Sequence, residues 1–440
     1  MEDGIFEELK RKAGERRKGG DYAGALIAYR DLWAEPRSRA DKWIGWGYAQ
    51  CLNKQKNYAD SLMLCRQVYQ LDKEFAFNNN LYGWNIYYEI IKPDKVLDEM
   101  TFQKAIESVT QLTRQETFSP YGRTVVKAME YYIQRKQFEE SLKWAKKLDG
   151  LILNSQGRSF ADAKGIERTL ASEQENYYRL YSKALFKAKC YEECIAVVEL
   201  ALKTIPVFHT NTDIWLKRNM ALAYAHEGKN EKALTLLKEI MLVKKEWYLH
   251  SDASGIFLYM GEKKKALYHA VVAALGAKEK FSLNLAERLA MLFTEEGKPE
   301  LARLQIEFYL ALKKKNKQKF DEHVREAAQK YQVNVEQIEE YQVLKDNIEK
   351  MWQNTKDRMR KLHQGCIEKI IVEKNTGLIK MDTGEVVCFR LKNGKENRNI
   401  NQGSNVNFYL ERSFDAKRNK EVLVAVDIAA VDSVPKEKQI

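Results

Sequence analysis

The chain has 440 residues, 31% of them charged, with a net charge of +12 and only 6 prolines and 22 glycines. So few helix breakers predict a mainly helical protein, and no apolar run is long enough to cross a bilayer as a helix. The positive balance favours an acidic partner, nucleic acid included, and the length admits either two to four domains or one repeat array with an added module.

The opening residues, MEDGIFEELKRK, are charged and lack the apolar stretch of a secretory signal, so a cytoplasmic location is expected. Six cysteines, at 51, 65, 190, 194, 366 and 388, form no C-x-x-C pair and have no histidines clustered near them. This fits a reducing compartment and argues against zinc. Cys190 and Cys194 would share a helix face, but Cys194 reads better as a small packing residue. No cofactor is expected.

From residue 1 to about 312 a small residue returns at one phase: Ala25, Ser61, Ala105, Ser141, Cys194, Ala233, Ala266 and Ala302. An aromatic side chain precedes five of them by three positions, as Tyr22, Tyr58, Phe102, Phe138 and Tyr191. Apolar residues follow at +4 and +7, as Leu237 and Ile240 after Ala233. Spacings of 33 to 53 residues mark stacked supersecondary units, about eight helix pairs in all. The pair around Ala105 is the least regular, because its first helix is interrupted near Pro93.

The stretch NMALAYAHEGKNEKALTLLKEI places Ala221, Tyr224, Gly228, Ala233, Leu237 and Ile240 in the slots of a tetratricopeptide repeat (TPR). AMLFTEEGKPELARLQIEFY does the same with Ala290, Phe293, Gly297, Ala302, Ile306 and Tyr309. Here the sequence resembles that family. The resemblance implies an α-solenoid whose first helices line a concave face that receives a peptide or partner helix. Arg123, Lys127, Arg179, Lys183 and Arg218 fall at or near that face, where they would favour acidic peptide or phosphate. Before Cys194 the gap widens to 53 residues around DGLILNSQGRSFADAKG, a Gly-, Ser- and Asn-rich stretch that reads as an inserted surface loop.

Residues 313–363 form a charged bridge. Its first part, 313–330, holds seven Lys or Arg against three Asp or Glu. That run reads as a solvated face, with a nucleic-acid patch as the alternative. From Asn334, with Gln337 at the third helical position, a helix is predicted. It would carry an apolar stripe through Ile338, Tyr341, Leu344 or Val343, Ile348, Met351, Trp352, Met359 and Leu362. The stripe would cap the end of the repeat array or support self-association.

At residue 364 the period changes to that of strands, with N-T-G and D-T-G turns between β-branched runs. Five short strands over 364–432 suit a small β-barrel, followed by a tail at 433–440. Gly365, Ile367, Gly377, Ile379, Gly384, Gly403, Val406 and Phe408 fall where a cold-shock-type OB-fold has its glycines and strands, so the module resembles that family. The family's base-stacking aromatics are replaced: Lys369, Thr376, Leu378, Cys388 and Arg390 stand at their places, and alternation turns Phe389 to the core. Lys369, Lys380, Arg390 and Lys392 remain as candidate phosphate contacts.

The fold class is therefore a multidomain, mainly α chain: a TPR-like solenoid, a helical bridge and a five-stranded OB-like barrel. No phosphate-binding loop, H-E-x-x-H or G-x-S-x-G is present, so no enzyme is expected. The leading reading is an adaptor, its solenoid holding a protein partner and its barrel touching RNA or single-stranded DNA. The alternatives are a purely protein-binding scaffold and a non-specific nucleic-acid binder using the basic solenoid and bridge.

Overall fold

The computed structural model describes the chain except residues 37, 94–97, 392–399, 416–417, 419 and 432–440. Two compact units divide it, Met1–Ala223 and Tyr224–Ile440. The expected tail at 433–440 and Lys392 lie outside the described residues.

Helices α1 (Asp3–Lys18) and α2 (Tyr22–Trp33) open the first unit, followed by α3 (Lys42–Lys54) and α4 (Tyr58–Leu71). Next come α5 (Ala76–Ile86), α6 (Glu99–Leu112), α7 (Tyr121–Gln134), α8 (Phe138–Ala145), α9 (Glu173–Lys187) and α10 (Tyr191–Thr204). Consecutive helices pack against each other from α1 to α10. Helix α11 (Thr212–His226) carries the chain into the second unit, which holds α12 (Asn230–Val243), α13 (Trp247–Tyr259), α14 (Lys263–Ala277), α15 (Leu283–Glu295) and α16 (Pro299–Lys315).

All eight recurring small residues lie on the second helix of a pair and are at most 6% exposed. Their size lets the first helix approach closely enough for direct bonding. Ser61 donates to the Ala49 carbonyl at 2.7 Å, Ser141 to Met129 at 3.2 Å, and the Cys194 thiol to Ser182 at 3.4 Å. In the pair α13–α14 the bond runs the other way, from Ser254 to the Ala266 carbonyl at 2.8 Å. Every such bond joins residues twelve apart, the span of one tight antiparallel turn. Gly47 serves the same purpose between neighbouring pairs: a Cβ there would lie 2.6 Å from the Tyr29 ring.

The helix α5 ends in a π-helical turn, Tyr87–Ile91, two residues before Pro93, which accounts for the irregular pair around Ala105. The segment expected as a plain loop is instead a β-hairpin, β1 (Arg158–Ala161) paired with β2 (Glu167–Leu170). Asp162 sets its turn by accepting from the amides of Lys164 and Ile166 and from Arg168. A cross-strand bond between the Ser159 and Thr169 hydroxyls, at 3.2 Å, and one well-placed Asp outweighed the turn-rich composition. Immediately after it, Ser172 and Glu175 form a capping box that starts α9. Glu175 is fully buried and also accepts from the His209 amide and Nδ1, at 2.6 and 2.8 Å. Burial opposes its charge, but these bonds hold the carboxyl below its ordinary range.

In the second unit α17 (Glu322–Lys330) and α18 (Tyr341–Arg358) follow α16. The helix predicted from Asn334 starts only at Tyr341. Asn334 spends its side chain on the Glu336 amide, at 3.0 Å, and so closes a turn instead of capping a helix. The predicted stripe does pack: Leu344, Ile348 and Trp352 are buried against α14 and α16, and the Trp352 indole donates to Gln305 at 2.9 Å. The last turn of α16 takes in Lys313, Lys314 and Lys315, the start of the basic run.

Five strands complete the unit: β3 (His363–Ile371), β4 (Thr376–Met381), β5 (Val386–Arg390), β6 (Asn405–Asp415) and β7 (Lys420–Ala430). They pair in the order β3-β4-β5-β7-β6 and close where β6 returns to β3. All contacts are antiparallel except β5 with β7. Ile367, Ile379, Phe389, Val406 and Phe408 fill the interior, with Phe389 turned inward as alternation requires and its ring lying where a Cβ on Gly377 would stand.

Candidate partner-binding pocket and barrel face

In the first unit, positions 123, 127 and 130 of α7 recur at helical spacing, as do 176, 179 and 183 of α9, so each set shares one helix face. Since α7 packs beside α9, the two faces meet around a cavity of about 260 Å³. Its apolar wall is made by Tyr87 from the π-helical turn, Val126, Leu180, and Leu153 from the segment leading to the hairpin. Its polar rim holds Arg123, Lys127 and Arg179 together with Glu130, Glu173 and Asn176.

The ion pairing of the rim is uneven. Arg123 donates through Nε to Glu173 at 2.8 Å and lies 5.5 Å from the Trp84 ring centre. Burial opposes its charge, but the bond to Glu173 more than offsets this and raises its pKa. Lys127 donates to Glu130 at 2.9 Å. Arg179 reaches only the amide oxygen of Asn176, at 3.4 Å, and has no carboxylate partner among the described residues. One guanidinium at this rim is thus open to a bidentate bond with an incoming carboxylate or phosphate.

Three of the five groove candidates read from the sequence therefore meet at one cavity. Lys183 lies one turn along α9 from Arg179, exposed and outside the lining, and Arg218 on α11 lies 5.8 Å from the Trp215 ring centre, also outside it. Counting cations missed the acids among them. The capping box at Ser172 marks the first turn of α9 and would have placed Glu173 there; nothing in the sequence points to Leu153.

On the barrel, the outer face of β3-β4-β5 gathers the other candidates. Lys369 pairs in register with Leu378, Lys380 with Val386, and Thr376 with Arg390. Lys369, Lys380 and Arg390 are exposed there around Leu378, Cys388 and Val386. The opposite side, β6 and β7, is occupied by helices. Glu411 binds Lys245 at 2.9 Å, and Asp427 binds Lys356 at 3.1 Å and Arg360 at 2.9 Å. The Arg360 guanidinium also lies over the Tyr409 ring at 3.8 Å. Burial would raise Asp427, but Lys356 and Arg360 beside it hold its carboxyl below the usual range.

No family model matches the sequence, and no curated protein is similar to it. Solved structures of low identity resemble the chain. A tetratricopeptide repeat protein from Parabacteroides merdae is 14% identical, with a TM-score of 0.31, covering 66% of this chain and 98% of that one. The Naa15/Naa10 complex bound to HypK-THB is 12% identical, with a TM-score of 0.40, covering 81% of this chain and 51% of that one. TTC0263, a TPR protein of Thermus thermophilus, is 15% identical, with a TM-score of 0.28, covering 57% and 99%. At these values the likeness says nothing of what this chain binds.

The class defined by the helices themselves is a TPR-like array of helix pairs, with close-packing small residues and tight turns, carrying a small β-sheet module. None of the described helices is long and apolar enough to cross a membrane.

Proposed function

We propose that this protein is a non-enzymatic scaffold that holds an acidic segment of a protein partner in the pocket between α7 and α9. The convergence of Arg123, Lys127 and Arg179 on one cavity with an apolar wall carries this reading. A cavity of about 260 Å³ suits one or two side chains of a bound peptide more than a small-molecule substrate. Arg179, without a carboxylate of its own, is the residue assigned to the partner's anion.

A second contact, by the barrel with RNA or single-stranded DNA, is favoured by its strand order and its free face. The order first-second-third-fifth-fourth, closing on the first, supports an OB-type barrel of the cold-shock kind. Lys369, Lys380 and Arg390 stand together on the side away from the docked helices. With no aromatic platform among the described residues there, contact runs through phosphates and depends steeply on salt.

One set of titrations tests both. A fluorescent oligoglutamate and a fluorescent single-stranded oligonucleotide are added to the full chain at low and high salt. Arg179→Glu with Lys127→Glu should abolish peptide binding and spare the oligonucleotide. Lys369→Glu with Lys380→Glu and Arg390→Glu should do the reverse. Peptide binding that survives the pocket charge reversal contradicts the scaffold reading, and an oligonucleotide that fails to bind even at low salt contradicts the barrel reading.

A further inference from the structure

The loop between α6 and α7 contains a feature that folding alone does not call for. Phe118 has a φ of +64° and its side chain is 86% exposed. A left-handed backbone is costly for a bulky residue, and exposing a phenyl ring gains nothing. The surroundings fix this arrangement: the Trp84 indole donates to the Phe118 carbonyl at 2.8 Å, and Pro120 starts α7 two residues later. Strain held in place in this manner concentrates where a surface has work to do.

What lies beside Phe118 is the cationic pocket. Trp84 meets the pocket residue Tyr87 edge-on, with ring centres 5.8 Å apart, and Arg123 lies over the other ring system of the same contact at 5.5 Å. Tyr88 stacks on Trp84 at 5.4 Å and Tyr58 on Tyr88 at 4.8 Å. An aromatic rim, the cluster of Tyr58, Tyr88, Trp84 and Tyr87, thus reaches the Arg123 side of the cavity, with a π-helical turn placing two of its rings, and Trp84 ties the backbone of the exposed Phe118 to it.

We infer that this rim is the second half of the pocket, and that the partner segment carries an aromatic residue next to its acidic one. The inference rests on the pocket reading above and names the partner's chemistry. Charge complementarity selects the acid; the exposed ring, on a backbone held by Trp84, selects the aromatic. Aromatic and cationic groups together also suit single-stranded nucleic acid. The rim's carboxylates, Glu130 and Glu173, already neutralise Lys127 and Arg123, which leaves one open guanidinium rather than a track of cations for a phosphate backbone, and the cavity is sized for side chains. A peptide is therefore the occupant.

The test uses the full chain and two fluorescein-labelled peptides, Glu-Glu-Phe-Glu-Glu and Glu-Glu-Ser-Glu-Glu, with Phe118→Gly as the variant. Glycine adopts this backbone without steric cost, and even after its extra unfolded-state freedom is subtracted the variant should melt at a higher temperature than the parent. The Phe peptide should bind the parent roughly threefold to tenfold more tightly than the Ser peptide, and the two should bind Phe118→Gly alike. Equal binding of both peptides to the parent overturns the inference and leaves the pocket reading standing. Failure of both to bind overturns both. An oligothymidylate that displaces the Phe peptide from the parent, and binds Phe118→Gly more weakly, would make the rim a nucleic-acid site and overturn the inference as well.

Discussion

Lys56, Lys136 and Lys189 occupy left-handed backbone, with φ of 63°, 61° and 62°. Each stands five residues before the small residue of its pair, where Gly20, Gly228, Gly261 and Gly297 hold φ of 72–85° in other turns. One turn geometry thus recurs seven times, and at three of them a lysine bears the steric cost that glycine avoids. Lys56→Gly, Lys136→Gly and Lys189→Gly should each stabilise the protein by roughly 0.5–1 kcal/mol, after the extra freedom of glycine in the unfolded chain is subtracted. Urea denaturation of each variant checks this, and a loss of stability at all three would show that the turn is not shared. The small residues and the glycine turns were legible in the sequence because packing restricts them to a few types. The lysines in those turns were not, since a side chain on the surface signals nothing about φ.

At the scale of elements, paired helices followed directly from periodicity, and the exceptions have local causes. A single Asn closing a turn delayed α18 to Tyr341, and a single Asp organised a hairpin inside a stretch that composition marks as loop. The pair α13–α14 holds a further element that spacing could not reveal: His250 and His269 face each other with Nδ1 atoms 3.0 Å apart. One ring donates and the other accepts, which requires the accepting ring to be neutral. Burial lowers His250 to about 4, with Lys245 and Lys356 adding to the effect and Glu411 opposing it. Burial, then the neighbouring His250, lowers His269 to about 3. Phe257 stacks on His269 with ring centres 5.3 Å apart, and Tyr268 meets it edge-on at 5.4 Å. Because the folded values lie below the unfolded value of about 6.5, both rings favour folding at neutral pH and penalise it in acid. Stability should be constant above about pH 7 and fall as the pH drops from there towards 4, by roughly 2–4 kcal/mol for the pair at pH 5. Thermal melts of the parent and of His250→Phe with His269→Phe measure this. The double variant should lose most of that slope, and an unchanged slope would place the acid sensitivity elsewhere.

Across the whole molecule, the sequence separates what packing dictates from what partners dictate. Helix pairs, the barrel core and the inward turn of Phe389 could be read because apolar spacing has few solutions. Three pocket cations could be placed because first-helix positions share a face. Their acidic neighbours Glu130 and Glu173 were readable by the same helical spacing, though a count of cations passed over them. The wall contributed by Leu153 and the tie of Trp84 to Phe118 could not be read, since each depends on chain segments far apart in sequence. The central claim is that the pocket between α7 and α9 is where a partner binds. Hydrogen–deuterium exchange of the full chain, with and without saturating Glu-Glu-Phe-Glu-Glu, tests it most directly. Protection should appear in the N-terminal turns of α7 and α9 and in the loop at residues 113–120, and should vanish with Arg179→Glu. Protection confined to the barrel strands, or unchanged by Arg179→Glu, would contradict the account.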